Sequence, residues 1–563
     1  MTILQERIKV VNPYKTSTPI MLVRQGLIGI VMTLHLLSAL NREINWDEFY
    51  FLSLVPDYER GTLAHSLQTF HVHLFWWLSK LPLDEISQIL LARCLMWLLL
   101  GATIFFLFRI TKTLASPEGA FFAVIVYSTL VFVLQHGTSF RSDPIITALL
   151  MGAIYALSRG TGLLLLGTSA TAFILALLIS IKSVFLLPLM GAVVAIQWSE
   201  SSAPLRLLRD ILFTIIAAAL LFFGLFWWHA SSILQATHEP SSMLGGALTK
   251  TILDSGLFYG IAFLKYTLRS DAIQWVLVAI GIVIAFIDLT ARDTKERFRA
   301  VVLLAFASPL LTVIFYRNAF PYYYVFMMAP VAVTAGISAD WLVKRFRIAK
   351  LLPPIMVAFA VSQAGIDFSR DHSAQRSVIA AVSEIFPNPV PYIDRCSMIG
   401  AYPMVGFFMS GWGMEVYRQS GRDQFARSIY EKHPLFVIAN HPGLLQALQM
   451  GASAPQGDIA LIPSDAAALR DNFIPHWGPI WVVGKRLDPT QGATSSFAVA
   501  IPGEYTLEAD EQMLIDGKTF FPGNVLTLTE GVHNYRGQFA QLRYGEHLPR
   551  PLRQPPKTVF TGF

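Results

Sequence analysis

The sequence predicts a polytopic α-helical membrane protein of about 11 transmembrane helices, followed by a C-terminal soluble domain of α/β plus β-sandwich character. Three observations carry this. First, 54% of the 563 residues are hydrophobic and only 14% are charged, against roughly 25% charged in a soluble domain. Second, the apolar residues gather in runs long enough to cross a bilayer, which takes about 20 residues of helix. Third, the long apolar runs stop near residue 368, and Pro, Gly, Asp and Asn become frequent.

The expected spans lie near 20–40, 88–110, 119–136, 144–158, 162–180, 182–198, 210–229, 272–289, 298–316, 321–340 and 350–367. The stretch 162–198 divides at Lys182, because a lysine in mid-bilayer costs about 3 kcal/mol or more. The first run has spanning length and no small-residue cleavage site, so it reads as a signal anchor. Clusters of Lys and Arg then set the orientation. One set of loops carries Arg7, Lys9, Lys15 and Arg24 near the first span, and Lys344, Arg345, Arg347 and Lys350 near the last. By the positive-inside rule these loops are cytoplasmic. Loops 41–87, 137–143, 230–271 and 317–320 face the other side. An odd number of spans puts residues 368–563 there too, in the periplasm if the membrane is a bacterial inner membrane.

The expected organisation is a membrane part over 1–367, a mixed α/β region over 368–490 and a small β-sandwich over 491–563. Residues 373–386 read as an amphipathic helix, and 435–440 and 480–483 as buried strands. Residues 497–501, 505–507, 513–515 and 525–528 read as short strands, separated by Pro502-Gly503, Asp516-Gly517 and Pro522-Gly523.

Composition also narrows the function. The net charge of +6 sits largely in short loops on one side and reads as membrane topology. No basic tract with interleaved aromatics occurs, so no nucleic-acid partner is expected. Cys94 falls in a span and Cys396 in the polar region, which argues against a disulfide. No Cys-x-x-Cys or paired-His spacing marks a zinc site, so no cofactor is expected.

The chemistry-bearing residues gather on the outer side. Asp47 and Glu48 stand just after the first span, where carboxylates are costly without a partner or a task. Transfer to a hydroxyl needs a carboxylate beside the attacking oxygen to take its proton. On a helix the two would point about 100° apart, so one can face a cavity while the other binds a structural partner. The structural alternative is a helix N-terminal cap. His71 and His73 precede an aromatic run and suit metal binding, a polar cavity role or interfacial packing. Arg141 and Asp143 flank Ser142 before Pro144, a common helix start, and also bring a cation and a second carboxylate to the surface. Lys182 and Arg317 are the strongest phosphate-binding candidates, because a departing lipid phosphate develops charge that a cation stabilises. Tyr322 and Tyr323 follow Arg317 and can offer hydroxyls. Snorkelling and an aromatic belt would explain the same residues without chemistry.

Together these residues resemble the GT-C lipid-phosphosugar-dependent glycosyltransferases, in particular the protein O-mannosyltransferase and bacterial aminoarabinose transferase branch. The matching residues are Asp47-Glu48 with Tyr50, Arg141-Ser142-Asp143, Lys182, and Arg317 followed by Pro321-Tyr322-Tyr323 and Pro330. The resemblance covers about the first 365 residues. It implies that a polyprenyl-phosphate sugar enters from the outer leaflet, and that Asp47 activates an acceptor hydroxyl. The anomeric carbon is then attacked with inversion, and lipid phosphate leaves. The acceptor would be an envelope glycan, lipid or protein. Relatives carry a Lys-Pro-Pro-type segment where this chain has His71-Val72-His73, which leaves open whether a histidine makes the phosphate contact there. The resemblance requires Asp47, Asp143, Lys182 and Arg317 to converge in one extracytoplasmic pocket.

Two other readings compete. A transporter or flippase of a lipid-linked solute would show repeats or polar residues at the midplane; no clear repeat is present, and the polar residues gather at one face. A membrane anchor displaying the outer domain would need only one or two spans.

Overall fold

The computed structural model describes residues 18–233, 256–455, 457–489 and 493–562. Arg7, Lys9 and Lys15, and residues 234–255 of the expected outer loop 230–271, lie outside the described residues. The chain divides into two compact units. One comprises Met1–Arg42, Asp57–Leu81 and Leu90–Arg370; the other comprises Glu43–Pro56, Pro82–Ile89 and Asp371–Phe563.

The first unit is helical. Each expected span is helical over most of its length, but fewer single helices are long and apolar enough to cross a membrane. Among the described residues seven helices are, or eight if Ile261–Ser270 and Ala272–Asp288, bent by 102°, make one span. Pro117–Ser128 and Leu163–Ile179 are shorter apolar helices. The difference comes from breaks that hydropathy alone does not show. Residues 119–136 form two helices, Pro117–Ser128 and Val131–His136, separated where Leu130 adopts extended backbone (φ −61°, ψ 135°). The Val131 backbone N–H then donates to the Asp271 carboxylate at 3.1 Å. Ser180 is likewise extended, and Lys182 sits in the short 3-10 turn Ile181–Leu186 that follows.

Helix Tyr323–Arg345 is the centre of this unit. Its apolar window is 83% buried, whereas that of Pro204–Ser231 is 0% buried. Close packing there depends on glycine. A Cβ on Gly281 would lie 2.1 Å from the Thr334 carbonyl oxygen, and one on Gly119 would lie 2.4 Å from that of Gly336. Small residues let helix backbones approach in this way where the hydrophobic effect cannot drive association. Asp340 of the central helix accepts from the Ser116 backbone N–H at 2.7 Å and from its Oγ at 2.5 Å. Ser116 Oγ in turn accepts from the Glu118 and Gly119 N–H groups and caps helix Pro117–Ser128.

The second unit is α/β. Its larger sheet runs β1-β2-β4-β11-β6-β9, with β3 also paired to β4. These strands are β1 Tyr392–Ile393, β2 Phe436–Ile438, β3 Phe473–Trp477, β4 Ile480–Leu487, β6 Gly503–Ala509, β9 Val525–Leu528 and β11 Ala540–Tyr544. β1 and β2 are parallel; the other pairings are antiparallel. A second, four-stranded sheet has the order β5-β10-β7-β8, from Ser495–Val499, Gly531–Arg536, Met513–Ile515 and Lys518–Phe520. Asp516 and Gly517 make the β7–β8 turn with φ of 49° and 77°, the left-handed pair that a two-residue hairpin requires. The larger sheet takes strands from both sides of residue 490, so β4 and β11 share one layer. Helices Ser373–Ile385, Gly411–Ser420, Phe425–Lys432, Pro442–Met450 and Pro463–Asn472 accompany the sheets. The core joins Val437, Leu444, Phe473, Val483, Leu507 and Leu542.

Candidate functional site

In the membrane unit, Asp143 occupies the first turn of helix Ser142–Arg159, after an extended Arg141. An anion there meets the positive end of the helix. Lys182 Nζ donates to Asp143 Oδ1, and both side chains are buried. Arg141 Nε lies 3.7 Å from Asp143 Oδ2. The Arg141 guanidinium carbon stands 3.6 Å from the Tyr322 ring centroid, and Lys182 Nζ stands 6.0 Å from the same centroid. Arg141, Asp143, Lys182 and Tyr322 therefore form one cluster. It places two cations and a carboxylate beside an aromatic face, a set that can hold a phosphate in a low-dielectric setting.

Two other expected residues have different surroundings. Arg317 is buried, with its guanidinium carbon 5.1 Å from the Tyr259 ring centroid. Tyr323 lies inside the helix packing, where its hydroxyl shares a 2.6 Å hydrogen bond with Thr312 Oγ1.

The histidines form a separate arrangement. His73 Nε2 is 2.8 Å from His229 Nδ1, and His229 Nε2 is 2.9 Å from Thr69 Oγ1. Rings of Phe70 and Trp228 flank them. His71 is fully buried at the start of helix Val72–Phe75. Among the described residues no group of three or more His, Cys, Asp or Glu side chains is arranged to hold a metal ion. His229 escaped the sequence reading because it ends an apolar span, where a lone histidine carries no motif.

In the other unit, helix Trp46–Glu59 starts from an N-terminal cap. Asn45 Oδ1 accepts from the Asp47 N–H at 2.9 Å, and Glu48 Oε1 accepts from the Asn45 N–H at 3.2 Å. This is the reciprocal pattern of a capping box, with asparagine as the cap. Glu48 is fully buried, while Asp47 is partly exposed. The adjacent carboxylates thus differ in surroundings: Glu48 closes the helix start, and Asp47 keeps access to solvent. The Tyr50 ring stacks on Phe408 at 4.1 Å.

Arg395 stands at the same helix start. Its guanidinium carbon is 3.5 Å from the Trp46 ring centroid. Burial pushes its pKa down, opposed by neighbouring negative groups that include Asp47. Asp394 accepts from the N–H groups of Cys396, Ser397 and Met398 at 2.7–3.0 Å and fixes the loop after β1. Burial raises the Asp394 pKa, and these hydrogen bonds oppose the rise.

The membrane cluster and Asp47 belong to different compact units. No protein-family model and no curated protein matches the sequence. Solved structures do. ArnT from Cupriavidus metallidurans, crystallised bound to undecaprenyl phosphate, superposes with a TM-score of 0.53 at 12% identity, over 75% of this chain and 93% of ArnT. The Archaeoglobus fulgidus oligosaccharyltransferase matches with a TM-score of 0.49 at 10% identity, over 90% of this chain and 94% of its own. Arabinosyltransferase EmbB from Mycobacterium smegmatis reaches 0.42 at 9%, over 93% of this chain and 64% of its own. The fold assignment rests on ArnT, a GT-C protein. With its set of apolar helices and its sheet-containing C-terminal region, the chain has the GT-C fold.

Proposed function

We propose that the protein is an inverting membrane glycosyltransferase. It moves a sugar from a polyprenyl-phosphate donor to a hydroxyl of an envelope glycan, lipid or protein, on the periplasmic face of a bacterial inner membrane. In this reading residues 1–367 carry the reaction, and residues 368–490 and 491–563 form the periplasmic part. The N-terminus is cytoplasmic.

The observation that carries the proposal is the buried Arg141–Asp143–Lys182–Tyr322 cluster. A leaving phosphate gains charge as the glycosidic C–O bond breaks, and fixed cations stabilise that charge without reorganising. Asp143 holds Lys182 and Arg141 in place. Arg317 and the Tyr322 hydroxyl complete the phosphate site, while Tyr323, bonded to Thr312, supports the helix behind it. ArnT, with the same fold, was solved with a lipid phosphate of this class.

Asp47 takes the proton of the acceptor hydroxyl as its oxygen attacks the anomeric carbon. The bond to phosphate breaks on the opposite face, and lipid phosphate departs with the electron pair. Glu48 sets the helix from which Asp47 projects. The reaction needs no metal in this scheme.

The test is Asp47→Asn. Cells lacking the protein are complemented with wild type or D47N, and envelope glycans and glycolipids are compared by mass. D47N should express normally, retain undecaprenyl-phosphate binding and fail to restore the missing glycoside. Full restoration by D47N would remove Asp47 from the mechanism.

A further inference from the structure

Arg395 is unusual among the cations of the second unit. Its Nε is buried and has no hydrogen-bond partner among the described residues. Buried polar groups are nearly always paired, so such an exception points to an occupant from outside the chain. Among the described residues its guanidinium packs on the face of Trp46, which holds the planar group by cation–π attraction and leaves its in-plane N–H fork available.

The backbone around it is fixed in place. Arg395 follows β1, and Asn440 and His441 follow β2, at the carboxyl ends of two parallel strands. Ligands of α/β sheets bind at this edge. Asn440 ties the two loops together: its Oδ1 accepts from the Arg395 N–H at 2.9 Å, and its Nδ2 donates to Asp394 Oδ2 at 3.2 Å. The Asp394 carboxylate is occupied by these bonds and by three backbone N–H groups. His441 Nδ1 accepts from the Gly443 N–H at 3.1 Å and caps helix Pro442–Met450. That places the His441 proton on Nε2. Burial, with the nearby Arg395 charge, lowers its pKa to about 3, so the ring is neutral. Arg395 is therefore the cation of this edge.

We infer that Arg395, held over Trp46 at the carboxyl ends of β1 and β2, is a subsite for an oxyanion carried by the acceptor, a phosphate or a carboxylate. The inference rests on the proposed glycosyl transfer for its purpose: Trp46 immediately precedes Asp47, so an anion on Arg395 would set the acceptor hydroxyl near the base. A planar fork suits bidentate binding of either group.

The test reads binding, not transfer. Full-length protein labelled with 5-fluorotryptophan carries twelve reporter rings, and the W46F variant identifies the fluorine signal of Trp46. Phenyl phosphate and methyl β-glucuronide are titrated separately, with phenyl β-glucoside as the neutral control. The Trp46 signal is expected to move saturably with at least one anion and not with the glucoside. R395Q should weaken that response at least tenfold, and R395K should retain part of it. D47N should strengthen it several-fold by removing a neighbouring negative charge. The other eleven signals report whether each variant keeps its fold. Response to phosphate alone marks a phosphorylated acceptor, and response to glucuronide alone marks an acidic sugar. An anion response unchanged in R395Q, or no Trp46 response to either anion in the wild-type chain, overturns the inference. If D47N still supported transfer while R395Q lost anion binding, the proposed base would fail and the subsite would stand.

Discussion

Replacing Lys182 with methionine removes one charge from the buried cluster while keeping the length of the side chain. Breaking a buried ion pair from one side costs about 3–5 kcal/mol, because the remaining charge is left uncompensated. Arg141 offsets part of that cost. At 3.7 Å from Asp143 Oδ2 it attracts the carboxylate by roughly 4 kcal/mol at an effective dielectric near 20. The expected loss in K182M is therefore near the lower end, about 3 kcal/mol. Adding Asp143→Asn removes the stranded carboxylate, so D143N/K182M should recover most of the lost stability. Ligand binding should follow a different order. K182M and the double variant both lack a cation and should bind undecaprenyl phosphate at least tenfold more weakly. D143N alone keeps both cations and should bind it as tightly as wild type, or more tightly. Thermal melting in detergent and direct lipid-phosphate binding measure the two quantities independently. If D143N weakened binding as much as K182M, the cluster would not act through its cations. If the double variant were no more stable than K182M, the two side chains would not be coupled.

Gly281→Leu would drive a side chain into the Thr334 carbonyl, 2.1 Å from where its Cβ must lie; overpacking costs about 1–3 kcal/mol, and a backbone obstacle cannot rotate away, so folded yield in detergent should fall sharply. In the polar unit, hydrogen bonds from Arg543 at 2.7 and 2.8 Å hold the Glu508 carboxyl below its ordinary value, with burial opposing them. A depressed carboxyl stabilises the fold above its unfolded value near 4.5 and loses that contribution as pH falls through the folded value. Glu508→Gln should therefore speed amide exchange in β6 and β11 at neutral pH by an amount worth about 1 kcal/mol, discounted for exposure. The difference should vanish in acid; one that persists there would mean that packing, not ionisation, links the two strands.

Much of the fold was legible because lipid imposes a single strong rule. Apolar runs of spanning length stand out from polar loops, and Lys182 alone sufficed to divide 162–198. The break at Leu130 was hidden because its partner is far away in sequence: Val131 meets a carboxylate 140 residues away. The strands β1, β3, β8, β10 and β11 were missed, β11 for a similar reason. Residues 540–544, Ala-Gln-Leu-Arg-Tyr, have only a short alternation, and β11 is held between β4 and β6 with Arg543 paired to Glu508.

The site was legible where charge opposed its surroundings and obscure where a residue type has many ordinary uses. Arg141, Asp143 and Lys182 stood out because ionised groups beside a bilayer require partners. Arg395 lies in a polar region where arginine is common, and nothing local marks its unpaired Nε. The acidic pair falls between these cases. Asn45 and Glu48 have capping-box spacing, so the sequence already held a reason to give Glu48 a structural task. Separating it from Asp47 needed only the observation that a carboxylate closing a helix start cannot also turn toward a substrate. The pairing is economical: the residue that orders the first turn restricts the backbone that carries its neighbour. Loosening the cap should therefore harm Asp47 without touching it. Asn45→Ala would remove the acceptor of the Asp47 N–H and cost about 1 kcal/mol of helix stability. If Asp47 is the base, transfer should fall in N45A while binding of undecaprenyl phosphate is kept.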